Sequence, residues 1–384
     1  MEPGSTSAQA RVVAPAAVTR LVERLRADEY RVIGPVVHDG AIVYDEMTTG
    51  AELPTGMTDE QAPGSYRLVP RGDGALFGYA VGPQSWKRFL FPPRHKLWET
   101  TRGADGVEVV PAPVEPARFA FIGVRACELS AIAIQDRVFL RDELTDTVYA
   151  TNRRDLLVIA VNCGTPSGTC FCASMGTGPR VPAGADLTMT ELLDGGRHEL
   201  LVEAGTEVGS RILDGLDGRP AGEDDLAAAE AVIAAAERSM GRTMAADGLR
   251  DVLAANLEHP RWDEVARRCL TCANCTLVCP TCFCSDVEDV SDLDGDHTER
   301  WRHWDSCFRI GFSHVGEGSV RTSPRSRYRQ WLTHKLGTWV DQFGTSGCVG
   351  CGRCITWCPV GIDITEEVAA IRADDGAVRE EVAG

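Results

Sequence analysis

Hydrophobic and polar positions along the chain predict an α/β fold in its first half. An apolar spacing near 3.6 residues predicts a short amphipathic helix over residues 18–28. Short apolar runs, several of them β-branched, predict strands at residues 30–37, 41–44, 66–69, 119–124 and 156–161. A helical pattern over residues 128–139 separates the last two strands. This strand-helix-strand order is typical of an α/β domain with at least partly parallel pairing.

The pattern becomes mainly helical after about residue 222. Residues 225–238 are alanine-rich and favour a helix, and residues 247–269 are helix-like again. The segment 215–220 is rich in glycine, aspartate and proline and predicts a linker. We therefore predict a flexible arm, an α/β docking domain and a mainly α-helical ferredoxin domain, with the bounds 1–17, 18–218 and 219–384.

Charge and hydropathy narrow the class of partner and the location. The formal net charge of −17 argues against binding to nucleic acid or to an anionic membrane surface, because both select positive patches. No apolar run approaches the ~20 residues that a membrane span needs, and the N-terminal segment lacks an apolar signal core. We expect a cytoplasmic protein whose partners are proteins or small molecules.

The strongest chemical signal is a repeated spacing of cysteines. A chain with 15 cysteines and no secretion signal indicates metal ligation rather than disulfides, since the cytosol keeps thiols reduced. The spacing Cys-x2-Cys-x2-Cys-x3-Cys-Pro occurs twice. The first motif comprises Cys269, Cys272, Cys275 and Cys279, and the second comprises Cys348, Cys351, Cys354 and Cys358.

This spacing is that of bacterial ferredoxins, which predicts two 4Fe-4S clusters. In those proteins three thiolates of one run hold one cluster, and the fourth cysteine ligates the other cluster. We therefore expect Cys358 to complete the first motif's cluster and Cys279 to complete the second motif's cluster. The exchange requires the motifs to pack face to face across the long insertion between them. A zinc ribbon is a poorer match, because it needs two separated Cys-x2-Cys pairs.

Four further cysteines belong to the predicted α/β domain. Cys127 and Cys163 each follow a predicted strand, and Cys170 and Cys172 lie on the loop after Cys163. If the strands are parallel, these thiols emerge at the carboxyl ends, where open α/β sheets bind ligands. Three interpretations stay open: a third iron-sulfur cluster, structural cysteines at a subunit interface, or a redox-active pair.

The last three cysteines are Cys282, Cys284 and Cys307. A metal site there needs a fourth ligand, for which His314 and Asp305 are candidates. Structural packing, or contact with the first cluster, is the alternative that we favour.

A basic stretch within the insertion contains Arg321, Arg325, Arg327, Arg329, His334 and Lys335. Such cations would raise the reduction potential of an anionic cluster, pair with an acidic partner, or form an ordinary solvated face. The solvated face is the default.

No dinucleotide-binding fingerprint, Walker loop, serine nucleophile elbow or acid/base constellation is apparent in a fitting context. Electron passage is therefore favoured over bond chemistry. Two rivals remain: a flavin- or thiol-dependent reductase that uses Cys170 and Cys172, and a zinc-stabilised structural adaptor.

Several motifs together resemble one known family. They are Gly123–Glu128, Tyr149 with Arg153–Arg154, Cys170–Cys172, Cys279–Cys284, Trp304–Phe308 and Cys348–Cys354. The set is similar to the beta subunit of cytoplasmic sulfhydrogenase-type nickel-iron hydrogenases and to the related A subunit of anaerobic sulfite reductases. One departure is Ala126-Cys-Glu128, where the family pattern has Pro-Cys-Asp; the thiol and the acid are kept.

The resemblance implies a non-catalytic electron relay. Its partners would be a flavin subunit that reacts with NAD(P)H and the small and large subunits of a hydrogenase. The alternative partner is the catalytic subunit of an anaerobic sulfite reductase, and no motif separates the two.

Overall fold

The computed structural model describes residues 9–80 and 82–383, with side chains as far as residue 374. The strands are β1 (Ala10–Val13), β2 (Arg31–His38), β3 (Ala41–Glu46), β4 (Met57–Ala62), β5 (Ser65–Pro70), β6 (Arg94–Gly103), β7 (Gly106–Pro111), β8 (Phe119–Arg125), β9 (Leu157–Val161), β10 (Leu187–Asp194), β11 (Arg197–Ala204), β12 (Gly218–Pro220), β13 (Ser285–Ser291), β14 (His297–Trp304), β15 (His314–Val315) and β16 (Gly318–Ser319).

The α-helices are α1 (Ala16–Ala27), α2 (Lys87–Leu90), α3 (Ala126–Phe139), α4 (Thr147–Arg154), α5 (Glu207–Asp214), α6 (Glu223–Arg238), α7 (Leu249–Ala255), α8 (Arg261–Arg268), α9 (Asn274–Leu277), α10 (Pro324–Thr333), α11 (Trp339–Phe343), α12 (Arg353–Thr356) and α13 (Ile364–Ala383). Single turns lie at Gly50–Glu52 and Asp142–Leu144, and a π-helical turn at His334–Thr338 joins α10 to α11.

An eight-stranded mixed sheet forms the centre of the N-terminal half, in the order β12-β1-β11-β10-β9-β8-β2-β3. Its middle pairs β2–β8, β8–β9 and β9–β10 are parallel, and the outer pairs are antiparallel. Strands β8 and β9 are buried along their whole length, because packed layers cover both faces of the sheet. The predicted strand-helix-strand unit, with parallel β8 and β9, is confirmed.

Alternating residues of β8 divide the core into two layers. Ala120 and Ile122 pack toward α1, and Phe119 and Phe121 pack toward the aromatic cluster around Trp86. The register shifts near Gly123, whose φ of 84° needs a residue without a Cβ. This bend directs the end of β8 into α3, which carries Cys127.

The two predicted halves interlock at a second sheet. The four-stranded antiparallel sheet has the order β13-β14-β6-β7, so it joins strands from both sides of the predicted boundary. Helix α6 likewise packs on β10 and β11 of the central sheet. A mainly helical C-terminal domain is therefore not confirmed, since β13–β16 lie within residues 219–384. The sequence pattern did not predict strand β13, because all its residues are exposed and most are polar.

The flexible arm predicted for residues 1–17 is wrong from residue 10 onward. Residues 10–13 form β1, which hydrogen-bonds between β11 and β12 and buries Val12 and Val13. Residues 1–8 lie outside the described residues. The predicted linker at 215–220 also contains β12, and Pro260 divides the helical pattern of residues 247–269 into α7 and α8. Within the described residues no helix is both long and apolar enough to span a membrane.

Candidate metal centre

The first cysteine motif forms a tight turn between two helices. Helix α8 ends before Cys269, and the backbone N–H of Thr271 turns back to donate to the Cys269 sulfur at 3.4 Å. Thr271 and Ala273 have φ angles of 51° and 68°, in the left-handed region that non-glycine residues rarely adopt. Helix α9 then presents Cys275. The local strain is the cost of bringing closely spaced thiols to one side of the chain.

The second motif repeats this turn residue by residue. The backbone N–H of Gly350 donates to the Cys348 sulfur at 3.5 Å, and Gly350 and Gly352 have φ angles of 64° and 74°. Helix α12 follows and carries Cys354, as α9 carries Cys275. Each motif therefore supplies an N–H donor to its first sulfur, a contact that favours the thiolate form.

Five thiols line a cavity at the first motif. Three of them belong to the first motif, and the other two are Cys354 and Cys358 of the second, so Cys358 reaches this site as the crossed pairing requires, with Cys354 beside it. Aromatic side chains of Phe308, Tyr328 and Trp331 form the opposite wall and keep water away. Burial, followed by the neighbouring thiols, raises the pKa of Cys275 well above its ordinary value.

The second motif gathers its thiols around Cys279. Burial raises the pKa of Cys354, and the next contributions come from Cys348, Cys351 and Cys279, so the four groups lie close together. Cys354 also lines the first motif's cavity together with Cys275, whose charge contributes to the raised pKa of Cys354. The two quartets therefore adjoin, with Cys275 and Cys354 between them.

The thiols are too widely separated for a single metal ion. Among the described residues no three cysteines bring their sulfur atoms within 4.8 Å of one another. Tetrahedral zinc with Zn–S bonds of about 2.3 Å would hold its sulfurs about 3.8 Å apart. A four-iron cluster has an iron at each of four corners and therefore needs the wider spacing. The donor set and its spacing fit 4Fe-4S clusters.

A buried ammonium group contacts the exchanged ligand of the second quartet. Lys335 Nζ, on the π-helical turn, lies 3.2 Å from the Cys279 sulfur and 3.1 Å from Thr281 Oγ1. Burial alone would lower its pKa, but the charges of Cys279 and Cys282 hold that pKa well above its ordinary value. A hydrogen bond from Cys282, together with Lys335, lowers the pKa of Cys279. Lys335 thus stabilises a thiolate at this position.

A second buried lysine lies on the other side of the same loop. Lys87 Nζ donates to the carbonyl oxygens of Cys279 at 3.1 Å and Cys282 at 3.0 Å, and lies 3.8 Å from the centre of the Trp304 ring. Burial lowers its pKa to about 8. No sequence signal marked Lys87, because it lies in a short helix far along the chain from either motif.

The three unassigned cysteines pack as pairs beside the two quartets. Cys282 contacts Cys279, while Cys284 contacts Cys307, and the hydrogen bond from Cys307 lowers the pKa of Cys284 to about 7. Asp305 adjoins this pair, but its Oδ1 accepts from Arg309 Nη1 at 3.0 Å. His314 is exposed on the β15–β16 hairpin. A metal role for the three stays a hypothesis.

The four cysteines of the α/β half line one cavity at the carboxyl ends of β8 and β9. They are Cys127, Cys163, Cys170 and Cys172. The structure thus brings together all four thiols that the strand order predicted to converge.

Most of the basic stretch is internally neutralised. Arg325 and Arg329 pair with Glu258, and Arg327 is buried and donates to the carbonyl oxygen of Phe308 at 2.9 Å. Of the stretch, Lys335 is the side chain that the structure places against a motif sulfur. The solvated-face interpretation fails at this residue.

Comparison with known proteins agrees with this geometry. Residues 268–362 match the family described as a 4Fe-4S dicluster domain. Over 347 residues the chain is 28% identical to sulfhydrogenase 2 subunit beta of Pyrococcus furiosus, covering 89% of this chain and 92% of that protein. No solved structure matches the chain. The resemblance predicted from the motifs is confirmed.

Proposed function

Given that the chain is a homologue of a sulfhydrogenase beta subunit and contains a 4Fe-4S dicluster domain, we propose that it is the electron-transfer subunit of a hydrogenase complex. Two adjoining thiol quartets carry the proposal. The first comprises Cys269, Cys272, Cys275 and Cys358, and the second comprises Cys348, Cys351, Cys354 and Cys279. The 4Fe-4S clusters that these thiols would hold accept and donate single electrons.

Hydrogen-bond donors and one cation lie beside sulfur atoms of the two quartets. The backbone N–H groups of Thr271 and Gly350 donate to ligand sulfurs, and Lys335 adds a positive charge beside Cys279. Donors and cations near the sulfurs raise a cluster's reduction potential. Because Lys335 contacts Cys279, a ligand of the second quartet, we expect that quartet to hold the cluster of higher potential.

The proposed partners follow from the homologue's name and from the resemblance. A beta subunit implies further subunits, and we propose a flavin subunit that reacts with NAD(P)H and the hydrogenase small and large subunits. Residues 18–218 would dock them, and residues 219–384 would carry the two clusters. A hydrogenase is favoured over a sulfite reductase because the homologue is a sulfhydrogenase subunit. A cytoplasmic location is part of the proposal, since the free thiols need a reducing compartment.

The rival interpretation, a thiol-dependent reductase, has weaker support. A reactive cysteine needs an exposed thiol with a lowered pKa. Cys170 and Cys172 are 7% and 5% exposed. Burial raises the pKa of Cys170 to about 12 and also raises that of Cys172. Neither thiol has the properties of a nucleophile, so we propose that the chain itself is not catalytic.

Metal analysis of anaerobically purified protein tests the proposal. We expect at least about eight iron atoms and eight acid-labile sulfides per chain, with reduced-cluster EPR signals that titrate in one-electron steps. Zinc without labile sulfide would overturn the cluster assignment. Co-expression with the adjacent reading frames, followed by anaerobic co-purification, tests the partners, and a sulfite reductase subunit in that complex would favour the alternative.

A further inference from the structure

The four cysteines of the α/β half line one cavity. Cys127 lies in the first turn of α3, and Cys163 lies two residues beyond the end of β9. Cys170 and Cys172 reach the same cavity from the loop that follows. The parallel strands bring these cysteines together although they lie up to 45 residues apart in the chain. Cysteines that only fill the core would not need to converge on one cavity.

We propose that these four thiols bind a third 4Fe-4S cluster, next to the second motif's quartet. This deepens the proposed relay function and rests on it. Each thiol loses one proton to solvent when it ligates iron, and iron and sulfide supply the rest of the cluster. The site lies outside residues 268–362, which match the dicluster domain.

The dimensions fit a cluster better than a single ion. Like the cavity at the first motif, this one is lined by cysteines from separate segments of the chain. Here too, no three of these described thiols bring their sulfur atoms within 4.8 Å of one another. Tetrahedral zinc would require the sulfurs to approach to about 3.8 Å.

Two buried arginines supply the positive charge that an anionic cluster needs. Arg125, 3% exposed, lines the cavity, and its Nη2 donates to the carbonyl oxygens of Phe77 and Tyr79 at 2.8 and 2.9 Å. Its Nη1 is buried and has no hydrogen-bond partner among the described residues. A buried guanidinium N–H without an acceptor destabilises the fold, so an acceptor is expected there.

Arg353 repeats this feature between the third quartet and the second motif. It is 1% exposed and pairs with Glu128, yet within the described part of the chain its Nη1 also lacks a partner. Its charge interacts with the thiols of Cys351 and Cys127, one from each quartet. Cluster sulfides and thiolate sulfurs would accept hydrogen bonds from both free N–H groups.

Direct contacts join the loop that carries Cys170 and Cys172 to the second motif. The backbone N–H of Phe171 donates to the carbonyl oxygen of Gly350 at 2.8 Å, and Thr177 Oγ1 donates to that of Val349 at 2.7 Å. The Cys170 sulfur lies 3.9 Å from the carbonyl oxygen of Cys351. A cluster here would adjoin the second motif's cluster, which extends the relay into the α/β half.

The test removes two ligands and leaves the two motifs intact. The full chain carrying Cys170→Ala and Cys172→Ala is purified anaerobically and reconstituted with ferrous iron and sulfide beside the wild type. We expect the variant to lose about four iron atoms and four labile sulfides, and to lose one set of EPR signals. Met240→Leu is the matched control, because Met240 lines the same cavity without offering a thiolate.

The outcomes of this test distinguish failure of the third-cluster proposal from failure of the proposed relay function. Equal iron in variant and wild type, with both motif clusters present, would overturn the third cluster and leave the two-cluster relay standing. One zinc lost per chain, with no change in iron, would also overturn it. If the double variant misfolds, Arg125→Met provides an independent test: the chain should retain about 12 iron atoms while the third cluster's potential falls. No shift in any potential would count against Arg125 facing a cluster.

Discussion

Arg353 and Glu128 form a buried ion pair that joins the second cysteine motif to the α/β half. Both side chains are 1% exposed, and they come from the first turn of α12 and the first turn of α3. Glu128 Oε2 also accepts hydrogen bonds from Tyr44 at 2.6 Å and from Trp86 at 2.9 Å. All polar partners of the carboxylate are thus internal, so neither member of the pair can turn to water.

Glu128→Ala should lower the free energy of unfolding by about 3–5 kcal/mol, because it removes the carboxylate that pairs with buried Arg353 and accepts from Tyr44 and Trp86. Anaerobic urea unfolding of the holoprotein measures the change. Glu60→Ala is the matched control, since Glu60 and its partner Arg67 are largely exposed and should contribute about 0–1 kcal/mol. Equal losses in the two variants would show that the buried pair does not hold the halves together.

Lys335→Met should lower the reduction potential of the cluster that Cys279 completes. A unit charge about 6 Å from a cluster, at an effective dielectric constant of about 20, contributes about 3 kcal/mol, which is on the order of 100 mV. Anaerobic redox titration followed by EPR measures the shift, and Lys335→Arg should restore most of the potential. A fall in the first motif's cluster alone would contradict the placement of Lys335 against Cys279.

Gly350→Ala should destabilise the second motif more than its φ angle explains. A Cβ at Gly350 would lie 2.6 Å from the Cys172 backbone, so the covering loop would have to move. Gly344→Ala is the control: its φ of 70° is similar, but the nearest atom would be 3.8 Å away. We expect about 1–2 kcal/mol for Gly344→Ala and about 2–5 kcal/mol for Gly350→Ala. Urea unfolding and iron content check both, and equal effects would mean that the loop does not press on Gly350.

The two motifs show which details the sequence could predict. Their identical spacing predicts two quartets with exchanged fourth cysteines, because ligand spacing is local and chemically constrained, and the structure places Cys358 at the first motif's cavity. Thr271 and Ala273 occupy positions that are Gly350 and Gly352 in the second motif. The 169–172 loop packs on the second motif and leaves no room for a Cβ there, which accounts for this difference. The sequence alone does not show which motif the loop covers.

Long-range pairing limited the fold prediction. The apolar runs that became β8 and β9 were recognised because both faces of these strands are buried. Strand β13 is exposed and polar, and β1 is only four residues long, so neither has a hydrophobic period to detect. Lys87 and Arg125 were missed for a related reason: each becomes a buried cation only through contacts with distant segments.

The crossed ligation makes the sharpest prediction, because each motif should depend on a cysteine of the other. Cys358→Ala should abolish or convert the cluster at Cys269, Cys272 and Cys275 while the second motif's cluster persists. Cys279→Ala should have the opposite effect. EPR of the reduced proteins, with iron and sulfide counts, distinguishes the two clusters by their separate potentials.

Cys307→Ala is the matched control for the Cys358→Ala and Cys279→Ala variants. Cys307 adjoins Cys284, and the charge of Cys275 contributes to raising its pKa. It does not line the first quartet's cavity. Both motif clusters should survive its loss. If Cys358→Ala instead removed the second motif's cluster, each run would hold its own cluster, and the shared cavity of Cys358 with Cys269, Cys272 and Cys275 would have no role in ligation.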